Sequence, residues 1–242
     1  MFGILSLPRG SFEILGFFVV FRVLHSLLTN YGPIPSSLAT ASARNIWMYR
    51  NITVSFVHSF FSAFLSVYCF FDEPAMLSDM FTAWSDTAFV LVVMSTGYFI
   101  HDFFDMLIYD ARKSLDLLLH HIVVCSAFFI AIFNKAYIAF AVCSLLMEVN
   151  SVFLHSRRLM CFHGVSKKSL LYQVNGIMLL LTFINFRFLT SAWMTNYVIQ
   201  HRSMVPFSHF LFSTVGMALM TGLNIQTFMS LWQADFKREQ TK

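Results

Sequence analysis

The sequence predicts an all-α, polytopic transmembrane bundle of about seven helices. Hydrophobic residues fill 57% of its 242 positions and charged residues only 12%, against roughly 25% charged in soluble domains, and the mean hydropathy is +0.68. Thirty phenylalanines and fourteen methionines are spread along the whole length, so no stretch reads as an independent soluble domain. Apolar runs of about 20 residues, enough to cross roughly 30 Å of hydrocarbon as helix, recur along the chain.

The runs fall near 11–29, 51–71, 86–108, 116–133, 136–154, 170–192 and 205–232. The first is too long for a secretory signal; Arg22 and His25 interrupt it, and "NYGPIPSS" follows where a small-residue cleavage site would stand. It is therefore expected to persist as a helix. With seven spans, alternate loops share a side. One side collects Arg44, Arg50, Arg112, Lys113, Arg157, Arg158, Lys167, Lys168, Lys237, Arg238 and Lys242; the other has Arg9, Lys135 and Arg202 beside the acidic Asp72, Glu73 and Asp79. The positive-inside rule then places the C-terminus in the cytosol. The N-x-T sequon at Asn51 lies on that same side and is expected to be unused. The basic residues flank spans and form no nucleic-acid footprint, so no nucleic-acid partner is expected.

Ionisable groups at membrane depth cost about 2.5 to 3.5 kcal/mol each on insertion scales, and the chain carries several. In the third span "GYFIHDFFDML" holds His101, Asp102 and Asp105, spaced so that His101 and Asp102 each reach Asp105 along a helix. In the fourth, Asp116 precedes His120 by four residues and shares its face, while His121 points about 100° away. The fifth adds Glu148, Asn150, Ser151 and His155. A polar cavity inside the bundle would accommodate them together.

Individually, Arg22, His25, His58, Asn185, Asn224 and Gln226 read as interhelical glue, at about 0.6 kcal/mol per hydrogen bond. Asp102 and Asp105 serve structure or function equally well on this reading. Adjacent histidines with a same-face carboxylate are costly as packing alone, so His120, His121, Asp116 and Glu148 form the candidate catalytic set, with His101, Asp102, Asp105, Asn150 and Ser151 around it. Histidine can take a proton from a hydroxyl or amine attacking an acyl thioester, and a carboxylate one turn away can fix its tautomer. Arg112, Lys113, Arg157 and Arg158 are candidate contacts for CoA phosphates or lipid headgroups. No metal and no other cofactor is expected: there is one His-His and no H-x-x-x-H, and Cys69, Cys125, Cys143 and Cys161 stand singly, as small buried hydrophobes do.

The stretch "SLDLLLHHIVVCSAFF", preceded by "GYFIHDFFDML" and followed by "SLLMEVNSVFLHSRRLM", resembles the TLC-domain family, which includes translocating-chain-associating proteins and ceramide synthases. The resemblance divides the chain into an N-terminal span and loop over 1–39, a TLC domain over 40–235 with six core spans, and a basic cytosolic tail over 236–242. "RNIWMYRNITVSFVHS" and "LLMEVNSVFLHSRRL" are most similar to a small TLC subgroup described as plasma-membrane fluidity regulators. The family resemblance implies a lipid-accessible cavity with the His-His pair at its heart. Ceramide synthases carry a second His-Asp dipeptide and a further Asp; alignment on the His-His pair puts Met147, Glu148 and Ser151 there. The acyltransferase pattern is half present. The subgroup resemblance implies control of phospholipid acyl composition, limiting incorporation of long-chain polyunsaturated fatty acids. Membrane lipids or acyl chains are then the partners, with acyl-CoA added under an acyltransferase reading. The expected location is the plasma membrane, with the endoplasmic reticulum as alternative.

Overall fold

The computed structural model describes residues 10–234, and every described element is helical. Arg9 and the basic tail with Lys237, Arg238 and Lys242 lie outside the described residues. The helices are α1 (Ser11–Asn30), α2 (Ala43–Asp72), α3 (Asp86–Tyr109), α4 (Leu115–Asn134), α5 (Ile138–Leu145), α6 (Glu148–Phe162), α7 (Leu170–Phe183), α8 (Thr190–Gln200) and α9 (Phe207–Trp232), joined by short 3₁₀ turns and, between α7 and α8, by a π-helical turn, Ile184–Leu189. Counting α5–α6 and α7–α8 as one span each, six among the described residues are long and apolar enough to cross a membrane. The 26 residues of α9 are also long enough, at about 1.5 Å per residue, but this helix is more polar, carrying His209, Asn224 and Gln226.

Local chemistry sets the boundaries. Ser42, Ser85 and Ser169 accept hydrogen bonds from the amides of Asn45, Ala88 and Tyr172 and so cap α2, α3 and α7. Pro74 follows the end of α2, and Lys135 ends α4 in the left-handed conformation, at φ 51°. Helix α2 begins eight residues before its apolar run because its first turns are tethered: Arg44 bonds Asp110 and Trp47 bonds Asp105. The fifth span breaks at Leu146–Met147 into α5 and α6.

Helix α3 is the most buried, packed between α1, α2 and α4. Gly97 allows the close approach of α1, since a Cβ there would lie 2.8 Å from the Ile14 carbonyl oxygen and the Phe18 amide. Polarity is distributed inside-out. On α2, Asn51, Ser55, His58, Ser59, Ser62 and Ser66 form the buried stripe, while Phe60, Phe61, Phe64 and Phe71 face outward. Such small polar faces let helices approach and bond where lipid removes the hydrophobic drive between them. At the end of the bundle opposite Arg44, the loop after α2 turns inward: Met80 and Phe81 are buried, their carbonyls accept from the amides of Phe140 and Tyr137, and the Met80 amide donates to the Tyr197 hydroxyl.

Candidate functional site

Three linked clusters of polar side chains run from near the basic end of the bundle into its middle. The first centres on Asp105, whose side chain is fully buried. It accepts from Arg22 Nη1 at 3.2 Å, His25 Nδ1 at 3.1 Å, Trp47 Nε1 at 2.8 Å and Asn51 Nδ2 at 3.2 Å. A buried carboxylate is tolerated only when such donors replace its water. The donors come from α1 and α2, so this one carboxylate ties three helices together.

Asn51 is the bridge to the second cluster, for its Nδ2 also donates to Asp102 Oδ1 at 2.6 Å. The sequon asparagine is thus 5% exposed, with the nitrogen a glycan would occupy committed to two carboxylates. Across α4, His121 Nε2 lies 3.3 Å from Asp102 Oδ2. Behind them His58 Nε2 contacts Ser62 at 2.9 Å and Ser95 at 3.2 Å, its ring stacked on Tyr98 with centroids 3.8 Å apart.

The third cluster lies at the α6 break and the π-turn. Ser59 donates to Glu148 Oε2 at 2.6 Å. Glu148 is within electrostatic range of Arg187 and of His121. The Arg187 guanidinium donates to Asn150 Oδ1 at 2.7 Å, Asn224 Oδ1 at 2.9 Å and Ser151 Oγ at 3.1 Å, joining α6 and α9 to the π-turn. Asn150 in turn donates to the Leu179 carbonyl and to Thr182. A π-turn re-aims side chains relative to an α-helix, and here it carries Arg187.

The expected carboxylate for His120 is corrected. Asp116 is exposed and accepts from Gln226 Nε2 at 2.9 Å, because the outer turn of α4 faces α9. His120 is half-buried, edge-on to His121 and Phe99, and within range of Arg187. The carboxylate partner goes to the other histidine. His101 packs its ring against His25 and Phe18 and leaves Nδ1 buried without a partner, while Asp105 is engaged by α1 and α2. Same-helix spacing gave the right face but not these cross-helix partners. Of the basic residues, Arg112 and Lys113 are exposed on the 3₁₀ turn after Asp110. Arg157, 9% exposed, donates to the Tyr172 hydroxyl at 3.1 Å and lies over that ring, and Arg158 lies over Phe162. Arg157 therefore braces α6 on α7 and does not face a soluble phosphate. Trp47 and Ser59 escaped the sequence reading, and Asn51 entered it only as an unused sequon; the serine spacing along α2 is the signal that would have found that face.

Several buried nitrogens of these clusters have no hydrogen-bond partner, among them Nδ1 of His58, His101 and His121 and Nδ2 of Asn224; of these histidines, His121 is the one whose other nitrogen faces a carboxylate across helices. With the proton on Nε2 donated to Asp102, His121 presents an Nδ1 lone pair that is buried and without a hydrogen-bond partner. Its ring is oriented as the base of a triad is oriented. Among the described residues no group of three His, Cys, Asp or Glu is placed to hold a metal ion.

The chain matches the family model of the TLC domain over residues 49–233. It is 40% identical over 216 residues to TLC domain-containing protein 2 of Danio rerio, covering 87% of this chain and 86% of that one. It is 34% identical over 229 residues to TLC domain-containing protein 1 of Rattus norvegicus (94% and 90%) and 33% identical over 215 residues to TLC domain-containing protein 2 of Homo sapiens (88% and 78%).

Proposed function

The chain belongs to the TLC-domain family, and from that premise we propose that it is a multi-pass regulator of phospholipid acyl composition and membrane fluidity that limits incorporation of long-chain polyunsaturated fatty acids into phospholipids. The observation that carries this reading is what stands in place of the second His-Asp pair of ceramide synthases. Glu148 is held by Ser59, and Ser151 is held by Arg187, so these positions are spent on joining helices. The similarity of "RNIWMYRNITVSFVHS" and "LLMEVNSVFLHSRRL" to the fluidity-regulator subgroup supports the same reading. The protein acts at the plasma membrane with its basic end and C-terminus toward the cytosol, and its ligands are lipids or acyl chains. Lipid profiling of cells lacking the protein, loaded with polyunsaturated fatty acids, tests it: phosphatidylethanolamine and phosphatidylcholine should gain polyunsaturated chains. Profiles unchanged under that load would overturn it.

A second reading, an acyl-CoA-dependent lipid acyltransferase, is favoured by one observation, the unpartnered buried Nδ1 of His121 beside Asp102. His121 would take the proton of an attacking hydroxyl or amine as the carbonyl–sulfur bond breaks, and return it to the departing CoA thiolate. Exposed Arg112 and Lys113 would attract the CoA phosphates. Purified protein in nanodiscs given labelled acyl-CoA with a lysophospholipid or a sphingoid base distinguishes the readings: CoA release abolished by His121→Ala supports transfer, and no turnover supports the regulator.

A further inference from the structure

A second polar feature lies apart from the histidine cluster, on the outer side of α1. A groove of about 500 Å³ runs between α1 and the end of α3, bordered by Arg22, Ser26, Thr29, Asn30 and Tyr109, with Val19 and Val23 along its length and Asp105 and His25 at its back. The α1 residues fall on one stripe, since positions 19, 22, 23, 26, 29 and 30 recur at helical spacing. Polarity changes in order along it. Val19 lies deepest, Arg22 and Val23 follow side by side, and hydroxyls and an amide stand at the mouth, where α1 ends at the basic end of the bundle.

Arg22 can serve a ligand without exposing Asp105. Its side chain is 44% exposed while that of Asp105 is 0%, and it contributes one of four donors to that carboxylate through Nη1 alone. His25, Trp47 and Asn51 remain if the guanidinium turns outward. A guanidinium about 12 Å from the helix end, at 1.5 Å per residue, reaches toward the interface by snorkelling along its stem. Its planar fork suits a phosphate.

We propose that this groove binds a glycerophospholipid from the leaflet at the basic end, its phosphodiester on Arg22 and the hydroxyls of Ser26 and Thr29, and one acyl chain along Val19 and Val23. The shared chemistry is that of a phosphate ester. The apolar floor favours a lipid over a soluble phosphate, because a free anion would gain nothing from the valines. The site stands independently of the function proposed above.

Thermal unfolding of the purified full-length protein in neutral detergent tests this, with added phosphatidylglycerol, diacylglycerol or glycerol 3-phosphate. Phosphatidylglycerol should raise Tm, and the other two should not. Arg22→Gln should raise the half-saturating lipid fraction by roughly tenfold, the loss expected for a charge-assisted hydrogen bond. Val23→Trp should have a similar effect by filling the groove while leaving all four donors on Asp105, which separates lipid binding from damage to the fold. Equal stabilisation of the wild type and both variants would overturn the site. Stabilisation by diacylglycerol would remove the phosphate from it, and stabilisation by glycerol 3-phosphate would replace the lipid with a soluble ester.

Discussion

Asn51 bonds two buried carboxylates with a single nitrogen, and its replacement removes a donor from each. Asn51→Leu should therefore lower Tm markedly, by the few kcal/mol typical of leaving buried charged groups under-bonded, as a fluorescence melt in detergent would show. His121 and His120 should separate in a different way. His121→Gln keeps a hydrogen-bonding group beside Asp102 but removes the free lone pair, so the protein should fold with near-normal Tm and fail to restore the lipid profile of a null cell. His120→Ala removes a half-buried ring without a carboxylate partner and should cost less stability than Asn51→Leu. Normal complementation by both histidine variants would make the pair structural.

Among the elements, α1 is attached to the bundle mainly through α3, at Gly97 and Asp105. Gly97→Leu places a branched side chain where 2.8 Å separates a Cβ from the α1 backbone, so α1 must shift. The expected result is a lower Tm and faster proteolysis after residue 30, with the α2–α9 core remaining protected. The inward loop between α2 and α3 carries its own titration. The Thr82 hydroxyl, then the amides of Thr82, Phe81 and Ala83, hold the Asp79 carboxyl below the usual carboxylate range. A depressed folded value means stability that is present above the unfolded value, near pH 3.9, and lost as pH falls through the folded one. The Tm gap between wild type and Asp79→Ala should accordingly be open at pH 6 and close as pH falls well below about 4.

Over the whole molecule, charge sets orientation. Arg44, Arg112, Lys113, Arg158, Lys167 and Lys168 gather at the end to which the histidine cluster is nearer, and Asp72, Glu73, Asp79 and Asp86 lie at the other. His121 is six residues, about 9 Å, into α4 from the basic end. A cytosolic basic end predicts that exposed Cys161, in the last turn of α6, reacts with a membrane-impermeant maleimide only after cells are permeabilised. Cys69 and Cys143 are buried and should stay unlabelled until the protein is denatured. Labelling of Cys161 in intact cells would invert the topology.

The sequence by itself determined the helical class, the order of the spans and the clustering of polar residues, because apolar length and charge asymmetry are properties of consecutive residues that the bilayer reads directly. It also put Glu148, Asn150 and Ser151 together in one span. Only the tertiary structure decided partners. Asp116 is sequence-adjacent to His120 yet goes to Gln226, 110 residues away, and Asp102 goes to His121 across two helices. In a low-dielectric interior a carboxylate settles where several donors converge, and convergence depends on how helices pack, which spacing along one helix does not encode. The bridging role of Asn51 and the assembly around Arg187 arise in the same way, from side chains that complete one another only when α1, α2, α3, α6 and α9 are brought together.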